Sequence, residues 1–143
     1  MTQNYGGSFA QRLIDQGKFD EAVALATREV ERDPVDPEHL MDRAGAFFAL
    51  ERYGDAVKDL EKALALDAVA QVLETDFLDD SLFSALLAEA RAAAPADLRS
   101  AILRLEHYLA VFPKGRHLAD VELWSGRLRG EGRDAIIVKE RLT

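Results

Sequence analysis

Apolar residues recur along the chain with the spacing of amphipathic helices. From position 40 to position 50 they stand at i, i+4, i+7 and i+10, which places them on one helical face. Pro37 suits the first turn of such a helix, because the N–H that it lacks would have no partner there. A second stripe follows a short turn at residues 51–54. The two stripes are Leu40, Ala44, Phe47 and Leu50, then Ala56, Leu60, Ala63 and Leu64. The pattern therefore predicts an antiparallel helical hairpin.

The same hairpin occurs earlier in the chain at an offset of 34 residues. Residues 16–22 align with residues 50–56, and apolar positions meet apolar positions on both sides of the match. Phe19 pairs with Tyr53, and Val30 pairs with Leu64. A period of about 34 residues is typical of helix-turn-helix repeats that stack on one another.

Two further units are predicted after the second hairpin. Residues Leu98, Ala101, Leu105, Leu109 and Pro113 have the spacing of Phe19, Ala22, Ala26, Val30 and Pro34. The first helix of this third unit is predicted from Leu82 to Ala94, with Asp80 and Ser81 as candidate N-caps. A partial fourth unit would follow at 114–143, with a turn at 130–132 and a short closing helix.

Residues 69–81 interrupt the repeat with about eleven extra residues, judged against the regular period. No Pro or Gly occurs between Asp55 and Ala94, so nothing there forces the second hairpin to stop. We expect either an overlong second helix or a short extra helix at 69–74. In both cases an ordered turn is predicted at 76–81.

These repeats resemble the tetratricopeptide repeat family, in particular its small bacterial members. Small and aromatic residues stand where that family has them, and Pro34 closes the first unit as the family pattern requires. In the second unit these residues are Ala44, Phe47, Tyr53, Ala56 and Ala63. The resemblance implies an all-α, right-handed stack of three to four antiparallel hairpins with atypical ends. The units in one domain, 1–143, would be about 3–36, 37–70, 82–113 and a partial 114–143.

Composition narrows the classes of function. The chain has 18 basic and 26 acidic residues, a net charge of −8, which disfavours nucleic acid as a partner. Cys is absent, so there is neither a disulfide nor a thiolate nucleophile. The chain starts without a basic and apolar leader and has no long apolar run, so we expect a cytoplasmic protein that does not insert into membranes.

The search for catalytic and metal-binding motifs predicts no enzyme, no cofactor and no metal site. The three histidines have no partner histidine at i+4 and lie outside an HExxH motif. Asp76, Asp79 and Asp80 lack the alternation and central Gly of a calcium loop, so we interpret them as a solvated linker and N-cap. Docking of a basic segment on these aspartates is the less favoured alternative. The basic residues between Arg116 and Arg141 alternate with acidic ones, which favours a solvated face over an anion-binding one.

The family resemblance implies that recognition takes place in the concave groove formed by the first helix of each unit. The predicted groove positions are Gln11, Met41, Asp42, Gly45, Phe48, Phe83 and Leu87. Asn4 and Gly7 are the corresponding positions further upstream. A soft Met beside a Gly would suit an apolar side chain of a partner, although packing on a neighbouring unit explains the same residues equally well. The Lys, Arg and Asn with which some members hold a peptide carboxylate are missing.

The sequence therefore predicts a non-catalytic adaptor or scaffold that binds an apolar or basic segment of another protein. The alternative is a dedicated chaperone for a secreted or membrane client, which would favour long apolar segments. Association into a homodimer is compatible with both. An enzyme would need paired ionisable groups that the spacing does not reveal.

Overall fold

The computed structural model describes the backbone of residues 8–142 and the side chains of residues 8–130. The described chain contains helices and no strands. The helices are α1 (Phe9–Asp15), α2 (Phe19–Arg32), α3 (Pro37–Ala49), α4 (Tyr53–Ala70), α5 (Thr75–Ala93), α6 (Leu98–Val111) and α7 (Leu118–Leu142). The predicted all-α class and its helical hairpins are confirmed.

Side-chain caps fix the starts of α1 and α3, the first helices of the first two hairpins. The Ser8 hydroxyl accepts a hydrogen bond from the backbone N–H of Gln11 at 3.0 Å, which begins α1. The Asp36 carboxylate accepts one from the N–H of Glu38 at 2.9 Å and begins α3, with Pro37 in the first turn as the sequence predicted.

The chain divides into two compact units. The first ends at Ala85 and holds α1 to α4 and the first part of α5. Within it α2 packs on α1 and α3, α4 packs on α3, and α1 also contacts α3. Val30, Leu40 and Ala63 form part of its core. Buried alanines such as Ala22 and Ala56 let the helices approach closely.

The second compact unit begins at Leu86 and holds the rest of α5, with α6 and α7. Helix α6 packs on α7. Tyr108 of α6 is fully buried, and its hydroxyl accepts a hydrogen bond from the backbone N–H of His117 at 3.1 Å. This bond holds the loop that leads into α7, and Gly115 lies directly against the same ring.

The predicted start of the third unit is wrong. Helix α5 begins at Thr75 instead of Leu82, so the predicted turn at 76–81 is helical. Asp76 lies in the first turn of α5, where a carboxylate is favoured by the helix dipole. Leu78 and Asp79 are buried, which shows that this segment packs and is not a solvated linker.

The connection before α5 is short and held by a side chain. Helix α4 has 18 residues against 14 in α2, so of the two alternatives the extended helix is present and the extra helix at 69–74 is not. It ends because Gln71 adopts a left-handed conformation with φ 53°. The Asp67 carboxylate then accepts hydrogen bonds from the N–H groups of Val72 and Leu73, both at 2.9 Å.

The predicted turn at 130–132 is also wrong. Helix α7 continues through these residues, so the separate closing helix does not form. A glycine inside a helix costs about 1 kcal/mol relative to alanine, which weakens a helix without ending it. Gly130 does not adopt the left-handed conformation that would cap a C-terminus. The predicted groove positions 4 and 7 lie outside the described residues.

Among the described helices, none combines the length and the apolar character that crossing a membrane requires.

Candidate functional site

The first compact unit contains a cavity of about 320 Å³ that is open on one side. Residues from α1, α3, α4 and α5 line it. They are Gln11, Met41, Ala44, Gly45, Phe48, Ala56, Leu60, Phe77, Asp80, Ser81 and Ser84. We call this cavity and its lining the groove. Its lining includes residues of α1, α3 and α5, the first helices of successive hairpins, and residues of α4.

Helix α3 contributes the central part of the groove. Met41, Gly45 and Phe48 follow one another at i, i+4 and i+7, which places them on one helical face. Gly45 leaves open space, because a Cβ there would meet one atom, Ile14 Cδ1, at 3.5 Å. Phe48 is 40% exposed and contacts Tyr53 edge to face, with the ring centroids 5.3 Å apart. The face therefore presents apolar surface that the chain itself leaves accessible.

Met41 has a second contact besides the groove. It is half-buried and packs against Val30, Leu40 and Ala63 of the core. Met41 therefore both lines the groove and packs within the protein, the two alternatives that its position in the sequence left open. A substitution at Met41 would therefore disturb folding as well as any binding.

Helix α5 contributes four residues to the lining of the groove. Phe77, Asp80, Ser81 and Ser84 lie on one face of its N-terminal half. Phe77 is 56% exposed although it is a large aromatic residue. Two exposed phenylalanines, Phe48 and Phe77, thus lie on the same open cavity and give it an accessible apolar surface.

The structure brings together four of the seven predicted groove residues and separates the others. Gln11, Met41, Gly45 and Phe48 line the groove. Asp42, next to Met41, is half-buried and is not among its lining residues.

Phe83 and Leu87, the predicted groove residues of α5, do not line the groove. Phe83 is buried, and Leu87 belongs to the second compact unit. These two positions follow from the predicted start at residue 82. Adjacent helical residues differ by about 100° around the axis, so Phe83 lies on a different face from Ser84.

Sequence reasoning missed the four α5 residues that do line the groove. Phe77, Asp80 and Ser81 lie in the predicted turn at 76–81, because three acidic residues close together are typical of a solvated linker, whereas Ser84 lies in the helix predicted from Leu82. Two signals in the sequence favoured a helix instead. The stretch has neither Pro nor Gly, and Asp76 precedes an apolar run that starts with Phe77.

Asp42 adds an acidic group near the N-terminus of α1. Burial raises the pKa of its carboxyl, and a hydrogen bond from the Ser8 side chain partly opposes that rise. Ser8 also caps α1, so this one side chain ties the start of α1 to α3.

A buried ion pair fixes α3 against α4 behind the groove. The Arg43 guanidinium donates to both carboxylate oxygens of Asp59, at 2.7 and 2.8 Å. Asp59 is buried, and the hydrogen bond to its carboxylate raises the pKa of Arg43. The pair holds the face that carries Met41, Gly45 and Phe48 in a fixed orientation.

Comparison with known proteins agrees with this architecture. Residues 8–71 match the model of the tetratricopeptide repeat family. Domains of this family generally mediate protein–protein interaction and are typically non-catalytic scaffolds.

Individual relatives match over a shorter segment. The chain is similar to RNA polymerase II-associated protein 3 of Gallus gallus, 42% identical over 56 residues, and to the Homo sapiens protein of the same name, 38% identical over 56 residues. Each match covers 39% of this chain and 8% of the relative. No solved structure matches the chain significantly.

Proposed function

We propose that the chain is an adaptor whose groove binds an apolar segment, flanked by basic residues, of a partner protein. The observation that carries the proposal is the open cavity lined by Met41, Gly45, Phe48 and Phe77. An accessible apolar cavity of this size accommodates one or two side chains. A bound side chain would cover the exposed phenyl rings and remove their apolar surface from water, which favours binding.

Charge favours basic flanks on the ligand. The eleven described lining residues include Asp80 and neither Lys nor Arg. Asp42 adds an acidic group next to Met41, and the whole chain carries a net charge of −8. A segment with Lys or Arg beside its apolar anchors is therefore attracted, whereas an acidic segment or a terminal carboxylate is repelled.

The test uses two labelled peptides with the same leucines and either lysines or glutamates at the other positions. Fluorescence anisotropy should show saturable binding of the Leu/Lys peptide, weaker binding at high salt, and no binding of the Leu/Glu peptide. Equal binding of both peptides would refute the electrostatic part of the proposal.

The groove itself is tested at Gly45. Gly45→Lys fills the open space with a long cationic side chain, and the helix tolerates it because lysine is a better helix former than glycine. The matched control is Gly126→Lys, since Gly126 is also helical with open space around it and lies in the second unit. We expect Gly45→Lys to abolish peptide binding and Gly126→Lys to leave it unchanged.

Peptide length separates the adaptor from the chaperone. A groove that holds one or two anchors should show affinity that stops rising once a short Leu/Lys segment is covered. Affinity that keeps rising with the length of an uninterrupted apolar segment would favour a chaperone for extended clients.

A further inference from the structure

A cluster of potential metal ligands lies at the junction between α2 and α3, away from the residues that line the groove. Asp33 follows the last residue of α2, Asp36 caps α3, and His39 lies one turn further on. Ligand atoms of these three side chains all lie within 4.8 Å of one another. All three residues are half-buried, so the cluster is partly shielded from water.

The imidazole of His39 faces carboxylates without a short hydrogen bond to them. Its Nε2 is 3.5 Å from Asp36 Oδ2 and 3.8 Å from Glu29 Oε2. Hydrogen bonds between these groups would be about 2.7–3.2 Å long. Two ligands of one tetrahedral zinc ion, each about 2.0–2.1 Å from the metal, are about 3.3–3.4 Å apart. The observed separations are therefore closer to those between ligands of a shared ion.

Backbone geometry orients the carboxylate of Asp36. Its Oδ1 accepts the N–H of Glu38 at 2.9 Å, which caps α3 and leaves Oδ2 directed to His39. An outer hydrogen bond of this kind fixes the orientation of a metal ligand. Glu29 is less committed to the cluster, because its Oε2 also pairs with Arg32 at 2.6 Å.

We propose that Asp33, Asp36 and His39 bind one divalent transition-metal ion, zinc or a similar borderline ion, with Glu29 or water completing the coordination. One nitrogen and several carboxylate oxygens suit such an ion, whereas calcium and magnesium prefer oxygen ligands alone. The spacing i, i+3 and i+6 spans the end of one helix and the start of the next. The sequence search looked for paired histidines and for HExxH and therefore predicted no metal site here.

Bound metal would join the end of the first hairpin to the start of the second. Because the ion binds the folded arrangement and not the separated helices, it should raise the midpoint of thermal unfolding.

Isothermal titration of untagged, chelator-treated full-length protein with ZnCl₂ tests the site. We expect one zinc ion per chain, with affinity reduced at least about tenfold in His39→Gln and in Asp33→Asn. Asp36→Asn should also weaken binding while it keeps the helix cap, because Asn caps as well as Asp. His107→Gln is the control, since His107 lies on α6 in the second compact unit.

Circular dichroism of each variant, recorded without metal, should match the parent and so excludes misfolding as the cause of lost binding. The proposal is overturned if zinc does not bind saturably, if His39→Gln binds it as well as the parent, or if His107→Gln loses as much affinity. Equal binding of calcium would overturn the assignment to a transition metal.

Discussion

Gly17 and Glu51 occupy the same turn position in the first two hairpins, 34 residues apart, and both have a positive φ, 77° and 61°. In each case the residue lies between the C-terminus of one helix and the start of the next. Glycine adopts this left-handed conformation freely, whereas a residue with a Cβ is strained there. The second hairpin therefore retains the turn of the first at an energetic cost.

Replacing Glu51 with glycine should stabilise the protein. The left-handed conformation costs a residue with a side chain about 1 kcal/mol, and Glu51→Gly removes that cost. The reverse change, Gly17→Ala, should destabilise by a similar amount, since a Cβ there meets no atom within 4 Å and strain is the only penalty. Urea unfolding followed by circular dichroism measures both changes.

Gly126 is the control position for the turn residues Gly17 and Glu51, because it is a glycine within a helix. It is helical, has no positive φ and is surrounded by open space. Gly126→Ala should therefore stabilise by about 0.5–1 kcal/mol, the usual gain in helix propensity. Destabilisation by Gly126→Ala, or stabilisation by Gly17→Ala, would contradict the conformational explanation.

Gly115 tolerates no side chain because neighbouring atoms leave no space for a Cβ, and not because of its backbone conformation. A Cβ at this position would overlap the Tyr108 hydroxyl and lie 2.7 Å from the Cβ of Phe112. We expect Gly115→Ala to destabilise by about 1–3 kcal/mol, the usual cost of overpacking. Tyr108→Phe removes the overlapping oxygen, so the penalty of Gly115→Ala should be smaller in that background. Equal penalties in both backgrounds would show that the tyrosine hydroxyl is not the obstacle.

The first two hairpins could be predicted from the sequence because several independent signals indicated the same helices. The offset of 34 residues, the apolar stripe and Pro37 each predicted the same helices. The start of α5 could not be read in this way. Asp79 is a buried carboxylate within that helix, and an acidic residue gives no sign in the sequence that tertiary contacts will bury it.

The predicted groove positions agree with the cavity lining on α3 but not on α5. On α3 Pro37 fixed the helix start, and the predicted positions Met41, Gly45 and Phe48 line one cavity. On α5 the start was seven residues too late, and the prediction named Phe83 in place of Ser84. Seven residues are close to two helical turns, so the late start left out the first two turns of this face, and naming Phe83 in place of Ser84 is a separate shift of one position.

Arg43 and Asp59, the two residues of the ion pair between α3 and α4, should show strong coupling in their contributions to the free energy of unfolding. Arg43→Met leaves the Asp59 carboxylate buried without its partner, which should cost about 3–5 kcal/mol. The double variant Arg43→Met/Asp59→Leu should lose much less than the sum of the two single variants. Arg104→Ala is the comparison, since the Arg104 side chain that pairs with Glu89 is 47% exposed and the loss should be smaller than at Arg43. Additive losses at positions 43 and 59 would show that the pair is not coupled.

Asp42 should make stability fall as the pH rises. Burial raises the pKa of its carboxyl in the folded state, so the folded chain binds the proton more tightly than the unfolded chain does. The contribution of Asp42 to stability is therefore fully present below the ordinary pKa of 3.8 and is lost as the pH rises through the higher folded value.

Asp42→Asn should consequently be more stable than the parent at neutral pH, because it cannot ionise and its amide oxygen can still accept the hydrogen bond from Ser8. The difference should disappear below the ordinary pKa of 3.8, where the parent carboxyl is also neutral. Urea unfolding across this pH range measures the effect. Asp97 should show the opposite pH dependence, because hydrogen bonds from Ser100 lower its pKa. Asp97→Asn should therefore be less stable than the parent at neutral pH, and this difference should shrink as the pH falls. A parent that is more stable than Asp42→Asn at neutral pH would mean that the ionised carboxylate stabilises the fold.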